Sequence, residues 1–577
     1  MNAVELISHA EDILAKTADY ESIAHIYEDW LEHNGNLENS APIWFNLGVA
    51  YSKLNQKDKL ESCYLKAKAL MPQLWQAVAN LANYYEINGS SEKAIATFEE
   101  ALSAPYNAEG KTFIRNQLGR IYESARQYQR AQSLYSESLA IDPEQKDTFQ
   151  HWFFLKQRNC DWPIALLPKP LTLEALASSL GTLSSMAYFD DPELVNISCK
   201  EWIKRYKKNK TFYHLSTGEN TYQHSKLRVG YVSCDFRMHA VSFLSMQMYE
   251  LHDREQFEVY GFDYSTDDSS DVRQRIISGM DHFFPIHQLN DEEAAKLIFE
   301  NEIDILVDMV GLTSNGRPGI FMYKPAPIQI SYLGFLGPVG FDEIDYLVCD
   351  QYVVPPTSAA HYGAKPLYLP FFQINNSFRQ VIPPPSRSSQ GLPEDAFVFC
   401  AILNSYKITQ EVFVRWMSIL KQTQHSVLWL LADNEALQKQ FLDFAKLHGV
   451  DSSRIVFASP IHPTLYLARF QCADLFLDTS PYNAGITASD AIWMGLPVLT
   501  CPGNTYVSRM AADILLNLGL DDFVCQDWNS YMNKAIDFCD HRSAKQLFNQ
   551  HFDRSNAIFD SANFVRQFEA ALLKIQT

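Results

Sequence analysis

The chain has 577 residues, 47% of them apolar and 20% charged, a globular composition too long for one hydrophobic core. Its formal net charge of −20, with no long run of Lys and Arg, argues against a nucleic-acid partner, because a phosphate backbone would be repelled. The first residues mix acids and apolar side chains at helical spacing, unlike a signal peptide, and no stretch of about 18 apolar residues suggests a membrane span. Cysteines 63, 160, 199, 234, 349, 400, 472, 501, 525 and 539 are scattered, with no CxxC pair and no neighbouring histidine cluster. A cytoplasmic chain without membrane contact or a structural metal site is expected.

Residues 41 to 143 repeat. Leu47, Gly48 and Tyr51 recur as Leu81, Ala82 and Tyr85, 34 residues later, and again as Leu118, Gly119 and Tyr122. Tyr64, Phe98 and Tyr135 fall in the second half of each unit, and Pro72 and Pro143 close the first and third. Small residues where two helices touch and aromatics where units stack make this an α-helical tetratricopeptide array over residues 1–145, with 4–35 as an atypical capping pair. Such an array either binds a peptide or braces its neighbour, and both readings stay open. Residues 146–225, including the basic "KRYKKNK", read as a helical connector.

From Lys226 the pattern changes to short β-rich runs alternating with helical stretches. "LRVGYVS", "FEVYGFDY", "IDILVDMV", "IQISYLGF" and "DYLVCD" form a first series. "FVFCAIL", "SVLWLL", "RIVFAS", "ADLFLDT" and "PVLTC" form a second, after the Pro- and Ser-rich interruption at 381–395. Near-continuous apolar strands between helices predict parallel sheets covered on both faces. Two doubly wound α/β (Rossmann-like) domains are expected, 226–390 and 391–577, with a closing helical stretch at 541–576 able to pack back across both. Ligands of such sheets collect at strand C-termini, which directs attention to Ser233–Ser242, Gly311–Gly319, Asn404–Lys407, Ser459–Pro463 and Thr479–Asp490.

Within those loops, Thr487 and Asp490 have the spacing of a capping box, and Ser489 adds a hydroxyl. The same helix start, with Gly485 before it, would suit an anion, so a self-satisfied cap and an anion site remain alternatives. Lys407 after a strand end could neutralise a diphosphate or lie at the surface. His239, after the first strand, could carry a proton or do neither. No P-loop, dinucleotide or nucleophile-elbow motif occurs, and the acidic "YSTDDSSD" reads as a loop.

Taken in order, "RVGYVSCDFRMHAVS", "KPAPIQISYLGFLGPVGFDEIDYLVCD", "NSYKIT" and "ADLFLDTSPYNAGITASDAIWMGLPVLTCPG", behind tetratricopeptide repeats, resemble a bacterial-type member of the O-linked N-acetylglucosamine transferase/SPINDLY family. The resemblance implies a GT-B glycosyltransferase, inverting and metal-independent, that moves a sugar from a nucleotide diphosphate to a protein side chain. It implies that Lys407 holds the diphosphate, that Thr487 and Asp490 hold the phosphate and ribose ends, and that Asn404 lies beside the phosphates. Arg469 would lie near the base, His239 beside sugar and acceptor, and Gly334 in a turn lining the sugar pocket; His239 and Lys407 are the catalytic candidates.

The chain also departs from the animal branch of that family. Gly485-Ile486-Thr487 stand where that branch has His-Thr-Thr, Tyr482 replaces a smaller residue, and Tyr466 replaces a histidine. The turn at Gly334 reads Gly-Phe-Leu-Gly-Pro. These changes touch the sugar and base pockets. UDP-N-acetylglucosamine, as co-substrate rather than cofactor, is the donor expected first, with Ser or Thr of a protein as acceptor. GDP-fucose, or UDP-glucose transferred to asparagine, is the alternative, and an inactive repeat scaffold is the alternative outside enzymes. A homo-oligomer is compatible with the array.

Overall fold

The computed structural model of the protein describes residues 2–164, 172–216, 222–459 and 461–576. Residues 165–171 and 217–221 of the expected connector, and Pro460 of the expected Ser459–Pro463 loop, lie outside them. The chain divides into two units, Met1–Leu155 and Lys156–Thr577.

The first unit is helical throughout: Ala3–Thr17 and Tyr20–Asn34 form the capping pair. Ala41–Lys53 with Lys57–Leu70, Trp75–Ile87 with Ser91–Ala101, and Ala108–Ser124 with Tyr128–Ile141 form three repeats. The repeated small residue is a contact requirement. A Cβ on Gly48 would stand 2.6 Å from the Tyr64 ring, and one on Gly119 would stand 2.6 Å from the Tyr135 ring. The repeated tyrosine ties each unit to the one before: Tyr51 donates to Glu28, Tyr85 to Glu61 at 2.6 Å, and Tyr122 to Glu99. A cavity of ≈ 520 Å³ on this unit is lined by Glu28, Trp44, Tyr51, Lys59 and Lys66, among others.

The second unit holds two parallel sheets. The first runs β1 (Leu227–Ser233), β2 (Phe257–Asp263), β3 (His282–Pro285), β4 (Ile305–Asp308), β5 (Ile328–Ser331), β6 (Tyr346–Cys349) and β7 (Lys365–Tyr368). The second runs β8 (Phe397–Ala401), β9 (Ser426–Leu430), β10 (Ile455–Phe457), β11 (Leu475–Leu477) and β12 (Val498–Leu499). Their spatial orders are β3-β2-β1-β4-β5-β6-β7 and β10-β9-β8-β11-β12. Strand order reverses beside β1 and β4 in one lobe and beside β8 and β11 in the other, so each lobe opens its ligand crevice there. The two edge strands β3 and β7 were not anticipated from the sequence. Each has four residues, partly exposed, without the apolar run that marks an inner strand.

The last helix, Ser561–Gln576, returns to the first lobe, where Phe564, Val565, Phe568 and Leu572 enter the core around β1, β4 and β5. The lobes also meet at Asp350, just after β6, and Asp513 on the helix Met510–Asn517, two buried carboxyls that act on each other electrostatically. Backbone N–H groups of Tyr352 and Val353 occupy Asp350 Oδ1, and Asn517 occupies Asp513 Oδ1. Both Oδ2 atoms are buried without a donor, so the pair must share a proton, and burial pushes both carboxyls up. All ten cysteines are buried free thiols.

Candidate active site

The loop after β8 turns at once into the short helical turn Ser405–Lys407. Ser405 Oγ donates to the Arg158 carbonyl at 2.6 Å, and its own carbonyl accepts the Cys160 thiol at 3.5 Å, which pins the turn from behind. Lys407 is thereby aimed across the crevice at the loop after β11. Its Nζ donates to the Asn483 carbonyl at 3.0 Å and lies 3.9 Å from the centre of the Tyr482 ring. Among the described residues no carboxylate comes within ion-pair distance of it. Burial lowers its pKa to about 8, against the opposing charge of Asp478. A desolvated ammonium without a counter-ion is a site for an anion from outside.

Asp478, at the end of β11, shapes the loop that faces Lys407. It accepts the Ala484 N–H at 2.7 Å and the Thr500 hydroxyl at 2.7 Å, and burial raises it to about 6. Asn483 Nδ2 donates to the Thr479 carbonyl, closing the turn that delivers Gly485.

The helix after this turn is Ile486–Trp493, and Gly485 is its N-cap. This corrects the capping-box alternative: Thr487 is the second helical residue, two positions past the cap, and no side chain caps the helix. The first N–H groups are therefore open, and the Thr487 hydroxyl, half-buried, has no hydrogen-bond partner among the described residues. Asp490 turns away from the helix start to Arg379, with Nη1 3.2 Å from its carboxylate. Ile486 packs against the first-lobe core.

Tyr466 stands near Asp490, whose charge helps burial raise the phenol to about 12. Arg469 does not reach an open face. It is buried, donating to the Ser459 carbonyl at 2.6 Å and to Gln390 at 3.1 Å, with its guanidinium against Trp429 and Tyr466. Asn404 is exposed immediately before the Lys407 turn.

In the first lobe, His239 is the N-cap of the helix Ala240–Leu251 rather than a free loop residue. Its Nδ1 lies 3.3 Å from Asp235 and 3.4 Å from the Val241 N–H, and its ring is 39% exposed. Burial, aided by Arg237 and opposed by Asp235, lowers its pKa, so the ring is neutral at neutral pH and able to accept a proton. The acidic loop at 264–271 buttresses this corner, with Asp268 accepting the Met238 N–H at 2.7 Å. Gly334 answers to packing: a Cβ there would lie 2.1 Å from the Met309 carbonyl, so the loops after β4 and β5 touch backbone to backbone.

One segment that sequence reasoning passed over, just before the Pro- and Ser-rich interruption, joins these parts. Asn376 Nδ2 donates to the Phe243 carbonyl on the His239 helix at 2.8 Å. Asn375 Oδ1 accepts Ser489 Oγ at 2.5 Å on the helix behind Gly485, and Arg379 Nη1 donates to the same Ser489 at 3.0 Å. Gln373 lies beside Gly485.

The profile of glycosyl transferase family 41 matches residues 196–383 and 373–568, and tetratricopeptide profiles match 41–73, 76–107 and 116–147. An Arabidopsis thaliana relative is 34% identical over 361 residues, 61% of this chain and 37% of its own length. It carries the name probable UDP-N-acetylglucosamine–peptide N-acetylglucosaminyltransferase SEC. A Caenorhabditis elegans UDP-N-acetylglucosamine–peptide N-acetylglucosaminyltransferase is 25% identical over 464 residues, 60% of this chain and 40% of its own. The chain thus spans about two fifths of the length of these relatives. Among solved structures, a mutant of the Thermobaculum terrenum O-GlcNAc transferase aligns over 100% of this chain and 97% of that one, with TM-score 0.61 and 21% identity, a likeness of fold.

Proposed function

Because the chain belongs to glycosyl transferase family 41, within the O-linked N-acetylglucosamine transferase/SPINDLY group, we propose that it is a protein glycosyltransferase using a nucleotide-diphosphate sugar, UDP-N-acetylglucosamine first. The observation that carries this reading is the desolvated Lys407 without a counter-ion, facing the turn that leads to the uncapped helix start at Gly485. Both stand where strand order reverses beside β8 and β11. A diphosphate supplies the charge that this corner lacks.

In the proposed reaction a Ser or Thr hydroxyl oxygen attacks the anomeric carbon as its bond to the diphosphate breaks. The electron pair goes to the leaving phosphate oxygen, and one displacement inverts the carbon. Lys407 and the N–H groups at Ile486 and Thr487 stabilise the growing charge. Asp490 receives the ribose hydroxyls and Tyr466 flanks the base, while Tyr482 and Gly334 bound the sugar. His239, neutral with its Nδ1–H donated to Asp235, takes the hydroxyl proton on Nε2. Turnover of His239→Ala near wild type at saturating donor would assign that proton to the donor's own phosphate. The acceptor is a polypeptide, guided by the repeat array and its ≈ 520 Å³ cavity.

The test is a panel of UDP- and GDP-sugars with the purified chain, reading thermal shift and donor hydrolysis with and without magnesium. Stabilisation by UDP-N-acetylglucosamine, independent of magnesium, is expected. Stabilisation by GDP-fucose alone would move the reading to fucosyl transfer, and no response to any donor would refute it.

A further inference from the structure

Arg379 lies on the segment joining the lobes, 110 residues before the helix it serves. Its side chain is 5% exposed. Nη1 sits 3.2 Å from Asp490 Oδ1 and 3.0 Å from Ser489 Oγ, and the Arg379 carbonyl accepts Trp493 Nε1 at 3.0 Å. Both ends of Arg379 are thus fastened to one helix, Ile486–Trp493. The remaining terminal nitrogen, Nη2, is buried with no hydrogen-bond partner. A purely structural arginine would use that donor, since leaving a buried charged N–H without an acceptor is destabilising. Asp490 in turn is 17% exposed.

Resting on the nucleotide reading of this corner, we propose that Arg379 is a positioning residue for the ribose end of the donor. Its Nη1 orients the Asp490 carboxylate toward the ribose hydroxyls, and its Nη2 is the donor that a ribose oxygen completes. Arg379 is the one ion-pair partner of Asp490 among the described residues. Arg379 also carries the consequence outward, because it belongs to the segment whose Asn376 holds the His239 helix.

The experiment compares binding of UDP with 2′,3′-dideoxy-UDP, and GDP with its dideoxy form, by titration calorimetry to wild type, Arg379→Met, Arg379→Lys and Asp490→Asn. Wild type should prefer the ribonucleotide about tenfold, the scale of hydrogen bonds to charged groups. Arg379→Met should lose that preference while keeping its affinity for the dideoxy compound. Arg379→Lys, which keeps the charge but not the second donor, should fall between. In the double variant with Asp490→Asn, Arg379→Met should cost less of the ribose preference than it does alone, because only the Nη2 contact is left to lose, whereas a general weakening of the fold would cost the same in both backgrounds. A wild-type ribose preference surviving in Arg379→Met, or in Arg379→Lys if the methionine variant does not fold, overturns the proposal. Wild type that binds neither nucleotide overturns the site's nucleotide reading itself.

Discussion

The low pKa of Lys407 makes donor binding pH-dependent in a way that can be worked out. Free, the amine titrates at about 8 because burial disfavours its charge and no carboxylate is in contact. A bound diphosphate holds the charged form far above that value, so only the protonated enzyme binds well. The apparent Kd then scales as one plus ten to the power (pH minus 8), weakening about tenfold, or ~1.4 kcal/mol, between pH 7 and 9. At pH 8 about half a proton is taken up per nucleotide bound, by the same relation. The nucleotide's own last phosphate proton leaves near pH 6, roughly, which is below the window. Titration of UDP calorimetrically at pH 7, 8 and 9, in buffers of different ionisation enthalpy, reads both quantities. Lys407→Met should bind weakly with no pH slope and no uptake. A Kd that stays flat across this range, or a slope that survives in the variant, would refute the reasoning.

Two further outcomes follow from packing and burial. Gly119→Ala forces a methyl group against the Tyr135 ring, where no room exists, and should lower the stability of the repeat unit by about 1–3 kcal/mol in thermal melts; an unchanged melt would contradict the contact. Asp513, raised by burial and by Asp350, keeps a proton in the folded state that the unfolded carboxyl releases above about pH 4. Its stabilisation is full below that pH and falls as pH rises through the neutral range, by about 1.4 kcal/mol per unit for one proton. Asp513→Asn should therefore flatten the stability of the second unit against pH between pH 6 and 8 in urea titrations. Parallel curves for variant and wild type would exclude a shared proton.

The repeats were legible because their chemistry is local: a glycine or alanine, an aromatic and a tyrosine recur at fixed spacing, and each meets its partner within one unit or the next. Five strands of the first sheet and β8, β9 and β11 of the second announce themselves as apolar runs because inner parallel strands are covered on both faces, and β10 and β12 do so although they stand at the edges of their sheet. β3 and β7, on the edges, carry no such run. Lys407, Tyr482 and the helix start at Gly485 could be found because they follow strands directly. The cap and the anion site could not be separated by spacing, which does not say where the helix begins; Gly485 caps it, and Asp490 is left for Arg379. Arg379 and Asn375 gave no local signal. Their partners lie more than a hundred residues away, and a polar residue in a short aperiodic stretch before the Pro- and Ser-rich interruption looks like any linker residue.

The return of the last helix to the first lobe alters what the word hinge can mean in this protein. The polypeptide crosses between the lobes twice, once on the way out near Gln373–Arg379 and once on the way back near Ile558–Ser561, and Asn375 bonds to both Ile558 and Ser561 where these crossings meet. Two pins side by side permit swinging about the line between them and resist twisting and sliding. The same arrangement makes the last helix a part of the first lobe's interior, so removing that helix would strip Tyr332 of its stacked neighbours Phe564 and Phe568 and loosen the first lobe.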